Sequence, residues 1–147
     1  MPGHSIRSRA PKASSQSVRR IMLANLGLTK PEHRLRSAVH RAGMRFRVNR
    51  RPLREMRCTG DLVFPRQRLC VFVDGCFWHG CPIHFGVPKT NTNWWAEKIQ
   101  GNLSRDAAQT RSLQKAGWIV LRVWEHELQT ERGVGKVVST IRCKYFA

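Results

Sequence analysis

The sequence predicts an α/β domain with a mixed central sheet, on three observations. DLVFPRQRLCVFVD, residues 61–74, reads as two apolar β-runs folded back around Pro65-Arg66-Gln67-Arg68. Residues 93–116 carry apolar side chains at steps of three or four, the mark of one long helix. WIVLRV, residues 118–123, then returns as a further apolar strand. The order helix, strand, hairpin, helix, strand, helix places a hairpin and a crossover in one sheet.

Taken in order, residues 1–17 are rich in Ser, Pro, Arg and Ala without periodicity and read as a flexible basic arm, with the folded domain over 18–147. A short helix is expected at about 17–25. A better one runs over about 31–42, with Pro31 in its first turn, Leu35, Ala38, Val39 and Ala42 at helical spacing, and Gly43 closing it. MRFRV, residues 44–48, alternates apolar and basic and predicts a strand. Residues 75–92 have no period and are loop. The long helix is spaced by Trp95, Ile99, Leu103, Ala107, Thr110, Leu113 and Ala116, and Gly117 stops it. Val134, Val137, Val138 and Ile141 mark a last helix.

At 147 residues the chain makes one compact domain. Its 27 Lys and Arg against nine acids give a net charge of +18, which points to a polyanionic partner, nucleic acid before membrane. The charge is uneven: residues 1–58 hold fifteen Lys/Arg and two acids, so the first half is the expected electrostatic footprint. There is no apolar run of the ~20 residues that span a bilayer, and no apolar core of a secretory signal at the N-terminus. Five cysteines, an odd number, then read as thiols or metal ligands in a reducing compartment. The class is soluble, intracellular and nucleic-acid-facing.

DGCFWHGCPIH, residues 74–84, is the densest concentration of chemistry in the chain. Cys76, Cys81 and His84, spaced C-x₄-C-x₂-H, suit three ligands of a closed tetrahedral zinc site. The fourth has to come from elsewhere: His126 is the best placed, with Cys58, Cys70 and Cys143 weaker. Cys70 lies in an apolar strand and reads as core. His79 is an alternative ligand, but it would crowd Cys76 and Cys81; left free beside carboxylates it suits proton transfer. A two-residue turn at Gln67-Arg68 would set Asp61 directly opposite Asp74, with Cβ atoms about 5 Å apart on one face. Two such carboxylates suit a hard cation such as Mg²⁺; the competing reading is two strand-end aspartates capping turns. Lys98 and Asn102 share a face of the long helix, with Arg105 or Asp106 a turn on, and are types that reach bases or phosphates. An ordinary solvated face is the alternative.

These stretches, with TKPEHRLRSAVHRAGMRFRV, PKTNTNWWAEKIQGNLSRD and GWIVLRVWEHEL, resemble the very-short-patch-repair (Vsr) mismatch endonucleases over about residues 18–128. The resemblance implies a restriction-endonuclease-like fold. It further implies a cytoplasmic, nucleoid-associated monomer that acts on mismatched double-stranded DNA. The reaction would be Mg²⁺-dependent hydrolysis of one strand beside a T·G mismatch, of the kind left when 5-methylcytosine deaminates. By position, Asp61 matches the metal-binding acid, Asp74 the second active-site polar residue, and Val73 a carbonyl beside Mg²⁺. His79 matches the catalytic histidine and Glu32 a supporting carboxylate. Cys76, Cys81, His84 and His126 match the structural zinc ligands. Phe77 and Trp78 match aromatics that enter the base stack, Lys98 and Asn102 match mismatch readers, and Trp95 and Asp106 match supporting positions. Two departures stand out. Gly60 precedes Asp61 where the family usually has Pro, and Ile21 or Met22 would have to supply the wedge of a loosely aligned N-terminal helix. Two further readings stay open: a non-catalytic zinc-stapled nucleic-acid-binding module, and a nuclease of this kind with another mismatch or a defence role.

Overall fold

The computed structural model describes residues 30–147. The arm at 1–17, the short helix expected at 17–25 and the wedge candidates Ile21 and Met22 lie outside the described residues. Helix α1, Lys30–Arg41, turns Leu35 and Val39 onto one buried face, and both are fully covered. Gly43, at φ +84°, ends it, and the Met44 amide bonds back to the Val39 carbonyl at 3.3 Å. That bond moves Met44 out of the strand expected over 44–48 and into the core. Strand β1 is instead Arg47–Arg50, with all four residues exposed.

Strands β2, Gly60–Phe64, and β3, Leu69–Asp74, form the expected hairpin in a different register. Leu62 faces Val71, Val63 faces Cys70 and Phe64 faces Leu69, so the loop is Pro65–Arg68, not a two-residue turn. Proline explains the change, since a turn at Gln67-Arg68 would place Pro65 in the ladder without an N–H to donate. Arg68 closes the loop at φ +51°, its amide 3.3 Å from the Pro65 carbonyl. Asp61 therefore lies opposite Phe72, and the directly facing Asp61–Asp74 pair does not form. Because the shift is two residues, both still share a face, as diagonal neighbours.

Helix α2, Thr92–Lys115, crosses from β3 to β4, Ile119–Trp124, which pairs parallel with β3 from Leu69–Ile119 to Asp74–Trp124. The sheet order is β1-β2-β3-β4, with the first two pairings antiparallel. A short 3₁₀ turn, Glu125–Leu128, leads to helix α3, Glu131–Tyr145, whose N-cap Thr130 accepts the Gly133 amide at 3.1 Å.

One face of the sheet, with Leu62, Phe64, Leu69, Val71 and Val123, packs on α1 and α3 to make the main core. Each Leu or Phe removed from water there contributes about 1.5–3 kcal/mol. The other face has a smaller apolar cluster, Val63, Cys70 and Phe72 beneath Leu113 of α2. The rest of that face is left to Asp61, Asp74 and Arg122. The apolar stripe expected along α2 is broken to match: Leu103 is 39% exposed, and Ala107 and Ala116 are exposed too. Trp95 and Ile99 anchor one end and Leu113 the other, while the middle crosses charged residues. Gly117, at φ +85°, ends the helix as expected. No helix among the described residues is long and apolar enough to cross a membrane.

Candidate active site and metal centre

Asp74 is the last residue of β3, at the carboxyl end of the parallel pair, where open α/β sheets place their sites. Arg122 of β4 holds it with Nη1 at 3.0 Å from Oδ1 and 3.3 Å from Oδ2. The same guanidinium donates from Nε to Thr110 Oγ1 at 2.9 Å and from Nη2 to the Asp106 carbonyl at 3.3 Å. It lies over the Phe72 ring, 4.4 Å from the centroid. One arginine thus ties β3, β4 and α2 together under the site. His79 Nδ1 is hydrogen-bonded to Asp106 Oδ2 and stands 3.8 Å from Asp74 Oδ1. A carboxylate on Nδ1 holds the ring with that nitrogen protonated, which leaves Nε2 free to accept a proton.

Asp61 Oδ2 accepts the Val73 amide at 2.7 Å, across the hairpin. Arg36 of α1 donates to the Asp61 carbonyl at 3.5 Å and to Asn49 Oδ1 at 3.3 Å. Glu32 lies 3.9 Å from Arg36, the same guanidinium that donates to the Asp61 carbonyl. Burial pushes the Asp61 carboxyl above the usual carboxylate range, opposed by the Val73 amide and Arg36. Burial raises Asp74 likewise, opposed by His79 and Arg122. Two desolvated carboxyls on one face favour a cation beside them. Asp61 fits that requirement, since among the described residues its carboxylate has no guanidinium pairing of the kind that already occupies both Asp74 oxygens.

Gly60, just before Asp61, is buried for a reason of space. A Cβ there would run into Cys70 Sγ and come within 2.8 Å of Val63 Cγ2. The strand that carries Asp61 closes over Cys70, itself fully buried, with a thiol that burial pushes up to about 12. This leaves Cys70 as core and outside any metal site.

Cys76, Cys81, His84 and His126 bring their ligand atoms within 4.8 Å of one another. The sulfur-to-nitrogen separations run from 3.3 Å (Cys76 to His126) to 4.0 Å (Cys76 to His84). A tetrahedral zinc with bonds of about 2.3 Å to S and about 2.0 Å to N calls for edges of about 3.5 Å. Two soft thiols and two imidazoles at this spacing therefore fit a structural ion. Glu125 fixes the loop from the 3₁₀ turn that follows β4, its Oε1 accepting the Cys76 amide at 3.0 Å. Gly80, at φ +61°, takes the chain between His79 and Cys81 close to α2, where a Cβ would meet Ile99 at 3.2 Å. His79 is not among the four grouped atoms, and Cys58 and Cys143 are free and apart from them.

Phe77 and Trp78 are half-buried, in edge contact at 5.3 Å, and both rest on Trp95, at 5.2 and 5.8 Å. Trp95 itself is 3% exposed and forms the floor under the pair. Asn102 is also buried: its Nδ2 donates to the Trp78 carbonyl at 2.8 Å, and its Oδ1 accepts from Arg105 at 2.7 Å. Lys98 stands exposed one turn away. Arg122, Glu125 and Arg36 were missed in the sequence. Arg122 left a signal, as the one charge in an otherwise apolar strand.

A family model described as DNA mismatch endonuclease Vsr matches residues 10–84. The chain is 44% identical over 115 residues to the type II nicking enzyme V.NaeI of Lentzea aerocolonigenes, covering 77% of this chain and 69% of the relative. It is 44% identical over 101 residues to the type II nicking enzyme V.XorIIP of Xanthomonas oryzae, covering 68% and 72%. Against the DNA mismatch endonuclease Vsr of Escherichia coli it is 40% identical over 102 residues, covering 69% and 64%.

Proposed function

Because the chain belongs to the DNA mismatch endonuclease Vsr family and is a DNA endonuclease, we propose that it nicks one strand of duplex DNA beside a T·G mismatch, as a monomer, with Mg²⁺ for catalysis and zinc for structure. The observation that carries this reading is His79, oriented by Asp106 within 3.8 Å of Asp74 on the face that also bears Asp61. In the restriction-endonuclease-like frame implied by the family, that is a proton acceptor next to acids that suit a cation.

Asp61 would hold Mg²⁺ beside the Val73 backbone, with Asp74 joining only as its pair with Arg122 loosens. Bound there, Mg²⁺ supplies charge that polarises the scissile phosphate and stabilises the leaving oxygen. His79 Nε2 takes a proton from the attacking water, and Asp106 keeps the ring turned and stabilises the imidazolium that results. Glu32 acts through Arg36, which steadies the chain at Asp61. Cys76, Cys81, His84 and His126 would hold zinc, and the loop they close carries Phe77 and Trp78 at a set height above Trp95. The exposed edges of those rings enter the base stack where pairing is weak and unstacking costs least. Lys98 contacts the mismatch, while Asn102 positions Trp78 from below. The basic arm at 1–17 adds sequence-independent grip in a cytoplasmic, nucleoid-associated enzyme.

The test is strand-specific nicking of end-labelled duplexes with and without Mg²⁺. Nicking of T·G but not matched DNA, lost with EDTA and in His79→Ala, is expected. A chain that binds duplex yet cuts nothing would instead be a zinc-stapled binding module. The names of the first two relatives, nicking enzymes, favour a second arm with other mismatches, since cutting confined to one of those would move the target and leave the chemistry standing.

A further inference from the structure

Beyond the cutting site, the α2 face of the sheet carries an open cleft of about 720 Å³ along β1 and β2. Arg47, Arg50, Arg51 and Arg54 line it, together with Asn49 and Trp118, and none of its lining residues is acidic. All four arginines are exposed, and none is in a salt bridge with any carboxylate among the described residues. Glu55, which follows Arg54 in the chain, does not line the cleft.

The cleft is built into the fold rather than strung along a loop. Arg47 pairs with Val63 and Arg50 with Gly60, so the β1 ladder sets both against β2. Asn49 takes φ +49°, a conformation asparagine tolerates better than most residues, and Arg36 ties its side chain to α1. Val63 lines the cleft and lies two residues from Asp61 on the same face, about 7 Å along the strand. Four guanidiniums without carboxylate partners among the described residues, next to a site that would take a phosphodiester, are suited to the phosphates that flank the one being cut. Arginine forks match phosphate oxygens bidentately, and each strand of a duplex carries one charge per about 3.4 Å of axis.

We propose that this arginine cleft is a second DNA-backbone site, holding the phosphates on the β1 side of the nicked position and so setting how the duplex lies across Asp61. It rests on the endonuclease reading for its ligand but not for its test. That test measures binding of the full chain to a matched duplex without Mg²⁺, from about 50 to about 200 mM salt. Arg51→Gln with Arg54→Gln, both outside regular strands, should make the plot of log affinity against log salt shallower by about 1.8, or 0.9 for each lost phosphate contact. Arg51→Lys with Arg54→Lys should keep most of the slope. A control pair on the opposite face of the sheet, Arg132→Gln with Lys136→Gln on α3, should leave it unchanged.

An unchanged slope in the cleft variant overturns the proposal. So does an equal fall in the control, which would reduce the effect to net charge. If the first pair unfolds by circular dichroism, Arg47→Gln with Arg50→Gln probes the same cleft with the same expected fall. A wild-type chain that nicks no mismatched duplex would refute the nuclease reading, while the slope comparison still decides the cleft.

Discussion

Arg122→Met separates the charge that holds the site from the shape that fills it. The side chain is 22% exposed and its partner Asp74 8%, so the variant keeps most of the volume and strands a mostly buried carboxylate. Breaking a buried pair from one side costs about 3–5 kcal/mol. The partial exposure of the guanidinium places this case near about 3 kcal/mol, or roughly 10 °C in Tm for a domain of this size. The sign of the pH dependence follows from the raised Asp74 carboxyl, which burial lifts and Arg122 opposes. Without Arg122 it rises further, so the folded variant binds a proton more readily than the unfolded chain. Its deficit against the wild type is then smallest in acid, below the ordinary value of about 3.9, where Asp74 is protonated in both folded proteins and in the unfolded chain. It opens as pH rises from the raised folded value of the wild type to the still higher folded value of the variant.

Chemical denaturation across that range reads the effect. Asp74→Asn on the Arg122→Met background should recover part of the loss and flatten the pH dependence, because no charge is left to strand. A deficit that is the same in acid and at neutral pH, or a double variant no more stable than Arg122→Met, would refute the reasoning.

Cys81→Ser or His126→Ala should abolish stoichiometric zinc in metal analysis and lower Tm steeply, since a structural zinc is worth about 10–16 kcal/mol in small folds; full zinc with an unchanged melt would remove the ligand set. His79→Asn and Asp106→Asn should cut single-turnover nicking by about 10²- to 10⁴-fold with zinc content and duplex affinity retained. For Asp61, protons compete with the cation at a carboxyl raised by burial; nicking at limiting Mg²⁺ should fall as pH drops through a value above the ordinary carboxylate range, and more Mg²⁺ should move that midpoint to lower pH. Gly60→Ala should cost about 1–3 kcal/mol by overpacking, and Cys70→Ala, which removes the sulfur a Cβ would strike, should restore part of it; no recovery would place the strain elsewhere.

Features governed by local rules were legible in the sequence itself. The spacing of Cys76, Cys81 and His84 is short enough that one loop presents all three, and a helical period with Gly117 at its end needs no partner to be read. Features set by meetings between distant segments were not. His126 was one candidate among several until β4, parallel to β3, delivered it 3.3 Å from Cys76. The hairpin register turned on Pro65, whose missing amide outweighed the simpler turn and left Asp61 diagonal to Asp74. Arg122 announced itself only as an odd charge in an apolar strand; which acid it would neutralise depended on the residue-by-residue match of β3 with β4 and on α2 crossing above them. Periodicity reports which face a side chain takes, because that is set by the backbone within one element. It cannot report what waits on the other side of that face, because that depends on segments placed there by packing energy summed over the whole domain.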